Sequence, residues 1–96
     1  MVLMVVDVFI ETVPDLVTKL KAALDKSDLV GAGRGAHSLK GALAQVQDDV
    51  GRDLAFTIET ACKEGQHATA MAAFPDLEKS VAAVLEEMQT YKKQKR

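Results

Sequence analysis

Apolar residues recur at steps of three and four along most of this chain, and short polar segments interrupt the pattern three times. Spacing of this kind gives a helix one apolar face. The pattern predicts helices at about residues 2–24, 29–47, 50–63 and 67–92. Four amphipathic helices with short connections predict an all-α fold, an antiparallel four-helix bundle with up-down-up-down topology.

The apolar stripes of these helices define the expected core. Pro14 and Pro75 lie inside two of the stripes, and a proline in a helix interior removes a backbone hydrogen bond, so kinks are expected near both. The residues expected to face inward are Val6, Phe9, Ile10, Val13, Val17, Leu20, Leu24, Leu29, Ala32, Ala36, Leu39, Leu43, Val46, Leu54, Ile58, Cys62, Met71, Phe74, Leu77, Val81, Val84, Leu85 and Met88.

The polar segments supply residues that start and stop helices. Ser27 or Asp28 is a suitable N-cap for the second helix, and Asp48 or Asp49 for the third. Gly65 is suited to the left-handed position that follows the third helix.

Three glycines, Gly31, Gly33 and Gly35, are unusual near the start of a helix, since each costs about 0.5–1 kcal/mol relative to alanine. One alternative is a loop that delays the helix start. A nucleotide-binding loop is disfavoured, because no strand precedes the glycines and no phosphate-loop motif follows them.

Composition narrows the class of protein. Residues 1–96 are expected to form a single domain with an aliphatic core, because only 4% of the chain is aromatic. The net charge of −2 gives no general attraction to nucleic acid. A single cysteine excludes an internal disulfide, and no signal peptide or membrane-spanning segment is evident, so we expect a cytoplasmic protein without membrane insertion. The basic run within residues 92–96 is interpreted as a solvated or frayed helix end.

Metal and nucleophilic sites find little support in the sequence. The one Glu-x-x-His pattern, Glu64 to His67, straddles a predicted turn and has no second copy, so no metal site is expected. His67 is interpreted as an exposed residue near a helix start. Cys62 belongs to an inward stripe, where a thiol is usually a small core residue rather than a nucleophile.

His37 is the residue whose surroundings suggest chemistry. It lies away from the apolar stripe of the second helix, with Gly33 and Gly41 four residues to either side and Ala44 seven residues on. These small residues would let another molecule approach the ring closely. Arg34 and Lys40 lie three residues to either side, where they could stabilise a phosphoryl group on the imidazole. Only a neutral ring nitrogen can attack phosphorus.

The segment Ala36-His37-Ser38-Leu39-Lys40-Gly41 resembles the H-x-[LI]-K-G motif of histidine-containing phosphotransfer (HPt) domains of two-component phosphorelays. The resemblance extends over about residues 5–88, including Phe9–Pro14 and the pair Ile58-Glu59. It implies that His37 is the phospho-acceptor, that Lys40 stabilises the phosphoryl group and that Gly41 gives a partner access. Val30, Gly33, Arg34 and Ala44 are the expected docking residues.

The family resemblance also implies which cofactors and partners to expect. Such domains have no kinase or phosphatase site of their own and need no cofactor; the magnesium ion belongs to the partner. The expected partners are response-regulator receiver domains and a sensor histidine kinase, and we expect a monomer. Two alternatives stay open, a non-phosphorylated helical adaptor and the phospho-accepting domain of a chemotaxis-type kinase. The chain departs from the family pattern at Gln47, where a glycine is common, and at Gly51, where an aliphatic residue is common.

Overall fold

The computed structural model describes the backbone of residues 3–94 and the side chains of residues 8–90. Four helices follow one another, α1 (Leu3–Asp25), α2 (Leu29–Gln45), α3 (Asp49–Lys63) and α4 (His67–Gln94). α2 packs against α1 and α3, and α4 packs against α3 and α1. Connections of three residues force successive helices to run antiparallel. The all-α four-helix bundle is therefore confirmed.

The three turns share one geometry. In each, a residue in the left-handed conformation ends the helix, and the amide of the next residue donates to the carbonyl five residues back, as in a Schellman motif. Gly65 holds this position after α3, as the sequence predicts. The two other turns use residues with a Cβ there. The left-handed residues are Ser27 (φ 57°), Gln47 (φ 61°) and Gly65 (φ 72°).

Two aspartates begin the next helices in the same way. Asp28 accepts a hydrogen bond from the amide of Gly31 at 3.0 Å, and Asp48 accepts one from the amide of Gly51 at 3.1 Å. A Cβ at either glycine would collide with the capping carboxylate. The departure at Gly51 therefore has a local cause, since the cap leaves no room for an aliphatic side chain.

The glycines of α2 lie inside the helix, which begins at Leu29, so the alternative of a delaying loop is wrong. Gly35 permits α1 to approach, because a Cβ there would already lie 3.6 Å from the Cβ of Leu20. α1 and α4 run unbroken through Pro14 and Pro75. The kinks near these prolines stay predictions.

The core is aliphatic and follows the predicted stripes closely. Met71 is the exception, because 39% of it is exposed while its neighbour Ala70 is fully buried. The stripe of α4 therefore starts one position earlier than the sequence predicts. Cys62 is buried in the core, and burial raises the pKa of its thiol. Val6 and the basic run at 92–96 lie outside the described side chains.

None of the helices within residues 3–94 combines the length and the apolar character needed to cross a membrane.

Candidate functional site

His37 lies on the outward face of α2, with 67% of its side chain exposed. It lines two shallow cavities, one between α2 and α3 and the other between α1 and α2. A residue on the ridge between two open grooves is accessible from both sides. The His37 ring is therefore open enough for a large molecule to reach it, and no enclosed pocket surrounds it among the described side chains.

A buried carboxylate from the neighbouring helix holds the His37 ring. Glu59 on α3 has only 7% of its side chain exposed, and its Oε2 lies 2.9 Å from Nδ1 of His37. An ionised carboxylate only accepts hydrogen bonds, so Nδ1 of the neutral ring carries the proton and donates it. The lone pair then resides on Nε2, across the ring from the carboxylate. This is the tautomer in which the outward nitrogen is the nucleophile.

Glu59 also binds Lys40, the residue three positions after the histidine. Lys40 donates from Nζ to Oε1 of Glu59 at 2.7 Å, and its side chain is 28% exposed. The hydrogen bond from Lys40 is the largest influence on the pKa of Glu59 and lowers it; burial opposes this effect, and the hydrogen bond from His37 adds to the lowering. The pKa of Glu59 is lowered on balance. At neutral pH the carboxylate is therefore ionised.

Two further α3 side chains approach the Lys40–Glu59 pair. The Phe56 ring lies below the Lys40 ammonium, with 5.1 Å between Nζ and the ring centroid, a cation–π distance. The side chain of Lys63 is exposed, and its Nζ lies 3.7 Å from Oε2 of Glu59. Phe56 is itself 54% exposed beside this charged pair. An aromatic ring in that position offers apolar contact area next to Lys40.

The structure brings most of the predicted site residues to His37. Val30, Gly33 and Arg34 line the cavity between α2 and α3, and Val30 is 68% exposed. Gly41 lines the other cavity, and a Cβ there would meet nothing within 4 Å. Ala44 is exposed on α2 but lines neither cavity.

The predicted contact between Lys40 and a phosphoryl group stays a prediction. In the structure Lys40 is committed to Glu59, 2.7 Å away, rather than standing free beside the ring. His67 is half-buried rather than exposed, because its Nε2 donates to the carbonyl of Leu24 at 2.7 Å. Its expected exposure is wrong.

Glu59 is the site residue that sequence reasoning missed. The sequence places it in a family-like pair with Ile58 but gives it no role. A signal was present, since Glu59 falls between Ala55 and Cys62 on the inward face of α3, where an unpaired carboxylate would be costly. A charge in that position requires a partner from another helix, and only the fold shows that the partners are His37 and Lys40.

This arrangement supplies the parts of a nucleophile. It holds an oriented imidazole, a buried counter-charge and open access. Among the residues with described side chains, no group of three or more His, Cys, Asp or Glu lies close enough to hold a metal ion.

Comparison with known proteins agrees with this geometry. The family model for the Hpt domain matches residues 4–90 of the chain. Searches among curated proteins and among solved structures found no significant match. The family match covers both His37 and Glu59 and nearly all of the four helices. The chain therefore belongs to the Hpt domain family, whose members serve histidine phosphotransfer in two-component systems with kinases and receiver domains.

Proposed function

We propose that His37 accepts a phosphoryl group on Nε2 from the aspartyl phosphate of a receiver domain, or from a kinase, and passes it to another response regulator. The observation that carries this proposal is the hydrogen bond from Nδ1 of His37 to Glu59. It leaves Nε2 as the nucleophilic nitrogen of an exposed ring.

The transfer balances without a group supplied by this chain other than the imidazole. With a receiver domain as donor, the lone pair of Nε2 forms the N–P bond while the P–O bond to the donor carboxylate breaks, and the donor leaves as a free carboxylate. The ring keeps the proton on Nδ1 and so gains a positive charge. Glu59, ionised and 2.9 Å from that nitrogen, stabilises the charge, and the reverse transfer to the next aspartate regenerates the neutral ring.

Cationic side chains near His37 stabilise the negative charge of the phosphoryl oxygens. Arg34 is exposed and lines the same cavity as His37. Lys40 holds Glu59 in place and remains one helical turn from the ring, near enough to support phosphoryl oxygens. The chain itself has no kinase or phosphatase role in this proposal, and the magnesium ion of the transfer is bound by the receiver domain.

A receiver domain would dock across the outward face of α2. Val30 and Gly33 offer a low apolar surface on one side of His37, and Gly41 leaves the other side open. Ala44 would extend the same face by one turn. A cytoplasmic location is part of this proposal, because phosphorylated receivers and the kinase's ATP are found there.

The test is transfer of label from a receiver domain phosphorylated with ³²P. We expect the wild-type chain to take up acid-labile label, and His37→Gln to take up none. His67→Gln is the matched control, since it changes the other histidine and should be labelled like the wild type. Label on His37→Gln would overturn the assignment. Receiver binding by the wild type without any label would instead favour the adaptor function.

A further inference from the structure

The largest cavity of the described side chains lies away from His37, between α3 and α4. Its volume is about 1120 Å³, and it continues over the turn that joins α2 to α3. No described residue lines both this α3–α4 groove and either cavity beside His37. A molecule bound in the groove therefore leaves His37 accessible.

Both walls of the α3–α4 groove carry apolar side chains. Val50 on α3 is 66% exposed, and Leu54, one turn further along, is half-buried. Val84 and Met88 contribute apolar surface from α4. A large apolar groove that is open at the surface of a small domain indicates contact with another protein.

The charged residues of the groove are mostly carboxylates. Four carboxylates and one ammonium line it and give a net charge of −3; they belong to Asp48, Asp53, Asp76, Glu87 and Lys79. Arg52, beside the groove, lies 3.3 Å from Asp53 and 3.4 Å from Asp49. Since the charges of Arg52 and Asp49 cancel, the region keeps its net charge. The whole chain carries only −2, so negative charge is concentrated at this groove.

The two cavities beside His37 differ from the groove in charge. Arg34, Lys63 and Glu59 line the α2–α3 cavity, which gives it a net charge of +1 while His37 is neutral. The α1–α2 cavity has no charged side chain in its lining apart from any charge on His37. Of the three, only the α3–α4 groove attracts a cationic partner. The same negative charge disfavours nucleic acid and anionic lipid there.

The positions of the carboxylates restrict the partner further. Asp48 is committed to the α3 cap and to the Ser80 hydroxyl at 3.0 Å. Asp76 and Glu87 are both exposed on α4, eleven positions or about 16 Å apart along the helix axis. Lys79 lies between them and offsets one negative charge. A partner with cations about three helical turns apart can meet both carboxylates.

The helices that bound the groove indicate the form of the occupant. The amides and carbonyls inside α3 and α4 are paired within each helix, so they offer no edge to which an extended strand could add. An amphipathic helix satisfies its own backbone and presents only side chains. Along about three turns, its apolar face would cover Val50 and Leu54 while cations at its margin reach Asp76 and Glu87.

We propose that the α3–α4 groove binds a cationic amphipathic helix of a partner protein. The apolar face of that helix covers Val50 and Leu54, and its lysine or arginine side chains pair with Asp76 and Glu87. The bound helix leaves His37 accessible, so it brings its protein to this domain without blocking the ring.

The test is an NMR titration of the ¹⁵N-labelled full chain with a synthetic peptide of about 18 leucine and lysine residues, ordered so that a helix has every leucine on one face. We expect a dissociation constant of about 100 µM or tighter. The shifted amides should lie within residues 46–54 and 76–88 rather than around His37. A scrambled peptide, and one with glutamate in place of every lysine, should each bind at least about tenfold more weakly.

Paired variants of the chain test the carboxylates. Asp76→Lys with Glu87→Lys reverses both charges in the groove, and we expect the dissociation constant to rise about tenfold or more. Glu78→Lys with Glu86→Lys is the matched control, since both residues are exposed on α4 but do not line the groove. The control changes the net charge of the chain by the same amount, and we expect a much smaller rise.

A further variant tests the apolar wall separately. Val50→Lys replaces a side chain that is already two-thirds exposed, so the fold should tolerate it while peptide binding weakens about tenfold or more. Circular dichroism checks the fold of every variant. The proposal would be overturned by a wild type that does not bind the lysine peptide, equal binding of the glutamate peptide, equal effects of the two double variants, or shifts centred on His37. These measurements need no phosphoryl group, so their outcome is independent of the role proposed for His37.

Discussion

The two histidines of this chain each use one ring nitrogen to join two helices, yet their surroundings differ in charge and access. His37 donates to the buried carboxylate of Glu59 and keeps two-thirds of its side chain exposed. His67, half-buried at the start of α4, donates to the backbone carbonyl of Leu24 at the end of α1. A carbonyl can orient a ring but carries no full charge to stabilise a cation. The two rings therefore differ in hydrogen-bond partner and in exposure, and these differences support the proposed role of His37 as a nucleophile and of His67 as a structural clamp between α1 and α4.

The largest effect should come from removing the charge that distinguishes the two sites. Glu59→Gln keeps the size of the side chain but loses the counter-charge of the phosphorylated ring, so His37 would resemble His67. We expect phosphoryl transfer to slow about 10- to 100-fold, the range found when the hydrogen-bond partner of a metal-bound histidine is altered. Rapid-quench measurement of label uptake gives the rate. Glu64→Gln, an exposed change on the same segment, is the matched control, and an equal loss in both variants would contradict the role of Glu59.

The next prediction concerns the hydrogen bond from His67 to the Leu24 carbonyl. His67→Ala removes the hydrogen bond to Leu24 between α1 and α4, and we expect the free energy of unfolding to fall by about 1–2 kcal/mol. Urea denaturation followed by circular dichroism measures this change. Label uptake per folded molecule should stay unchanged. A variant with full stability but slower transfer would reverse the assignment of the two histidines.

Two glycine substitutions, one in the turn after α1 and one in α2, should change stability in opposite directions. Ser27 has φ 57° in the turn after α1, so Ser27→Gly relieves a left-handed conformation and should raise the free energy of unfolding by about 0.5–1 kcal/mol. Ser38 is exposed inside α2 next to His37, where Ser38→Gly should lower it by about 0.5 kcal/mol. Urea denaturation of the two variants should give shifts of opposite sign. Shifts of the same sign would contradict the local origin of both effects.

The smallest effect is a dependence of stability on pH that arises from Glu59 beside His37. The pKa of Glu59 is lowered from its ordinary value of 4.5 in the folded chain, with the hydrogen bond from Lys40 as the main cause. Its contribution to stability is therefore complete above that value and is lost as the pH falls through the lowered folded-state pKa. Denaturation at a series of pH values should show a steeper acid loss for the wild type than for Glu59→Gln. Parallel curves would contradict the ion pair's contribution.

The sequence predicts the fold correctly and singles out His37 as the candidate nucleophile, because both inferences depend on local spacing. Steps of three and four set the helices, and the H-x-L-K-G segment marks His37 within a single turn. Glu59 could not be assigned in this way, because it lies 22 residues from His37 and their contact depends on how α2 and α3 pack. The prediction that Met71 faces the core is wrong for a similar reason, since a small rotation of α4 decides whether Ala70 or Met71 is buried.

The partners of Lys40 and His67 show the same limit. Charge and spacing place Lys40 near any anion on His37, but they cannot show that a buried carboxylate on another helix already binds it. The sequence predicts an exposed His67, because its hydrogen bond to the Leu24 carbonyl forms only when the two turns at that end of the bundle pack together. In each case the missing information is a contact between helices.

The short turn between α2 and α3 has a consequence for how the site assembles. His37 and Glu59 lie on either side of that turn, so the loop that must close to join them is short, and the entropic cost of closure grows with loop length. The Asp48 cap and the Gln47 turn are set by hydrogen bonds within neighbouring residues. The helical hairpin that contains the reactive pair thus has low contact order, a property that accompanies rapid folding. After each unfolding event, His37 and Glu59, 22 residues apart, therefore close a shorter loop than His67 and Leu24, which are 43 residues apart.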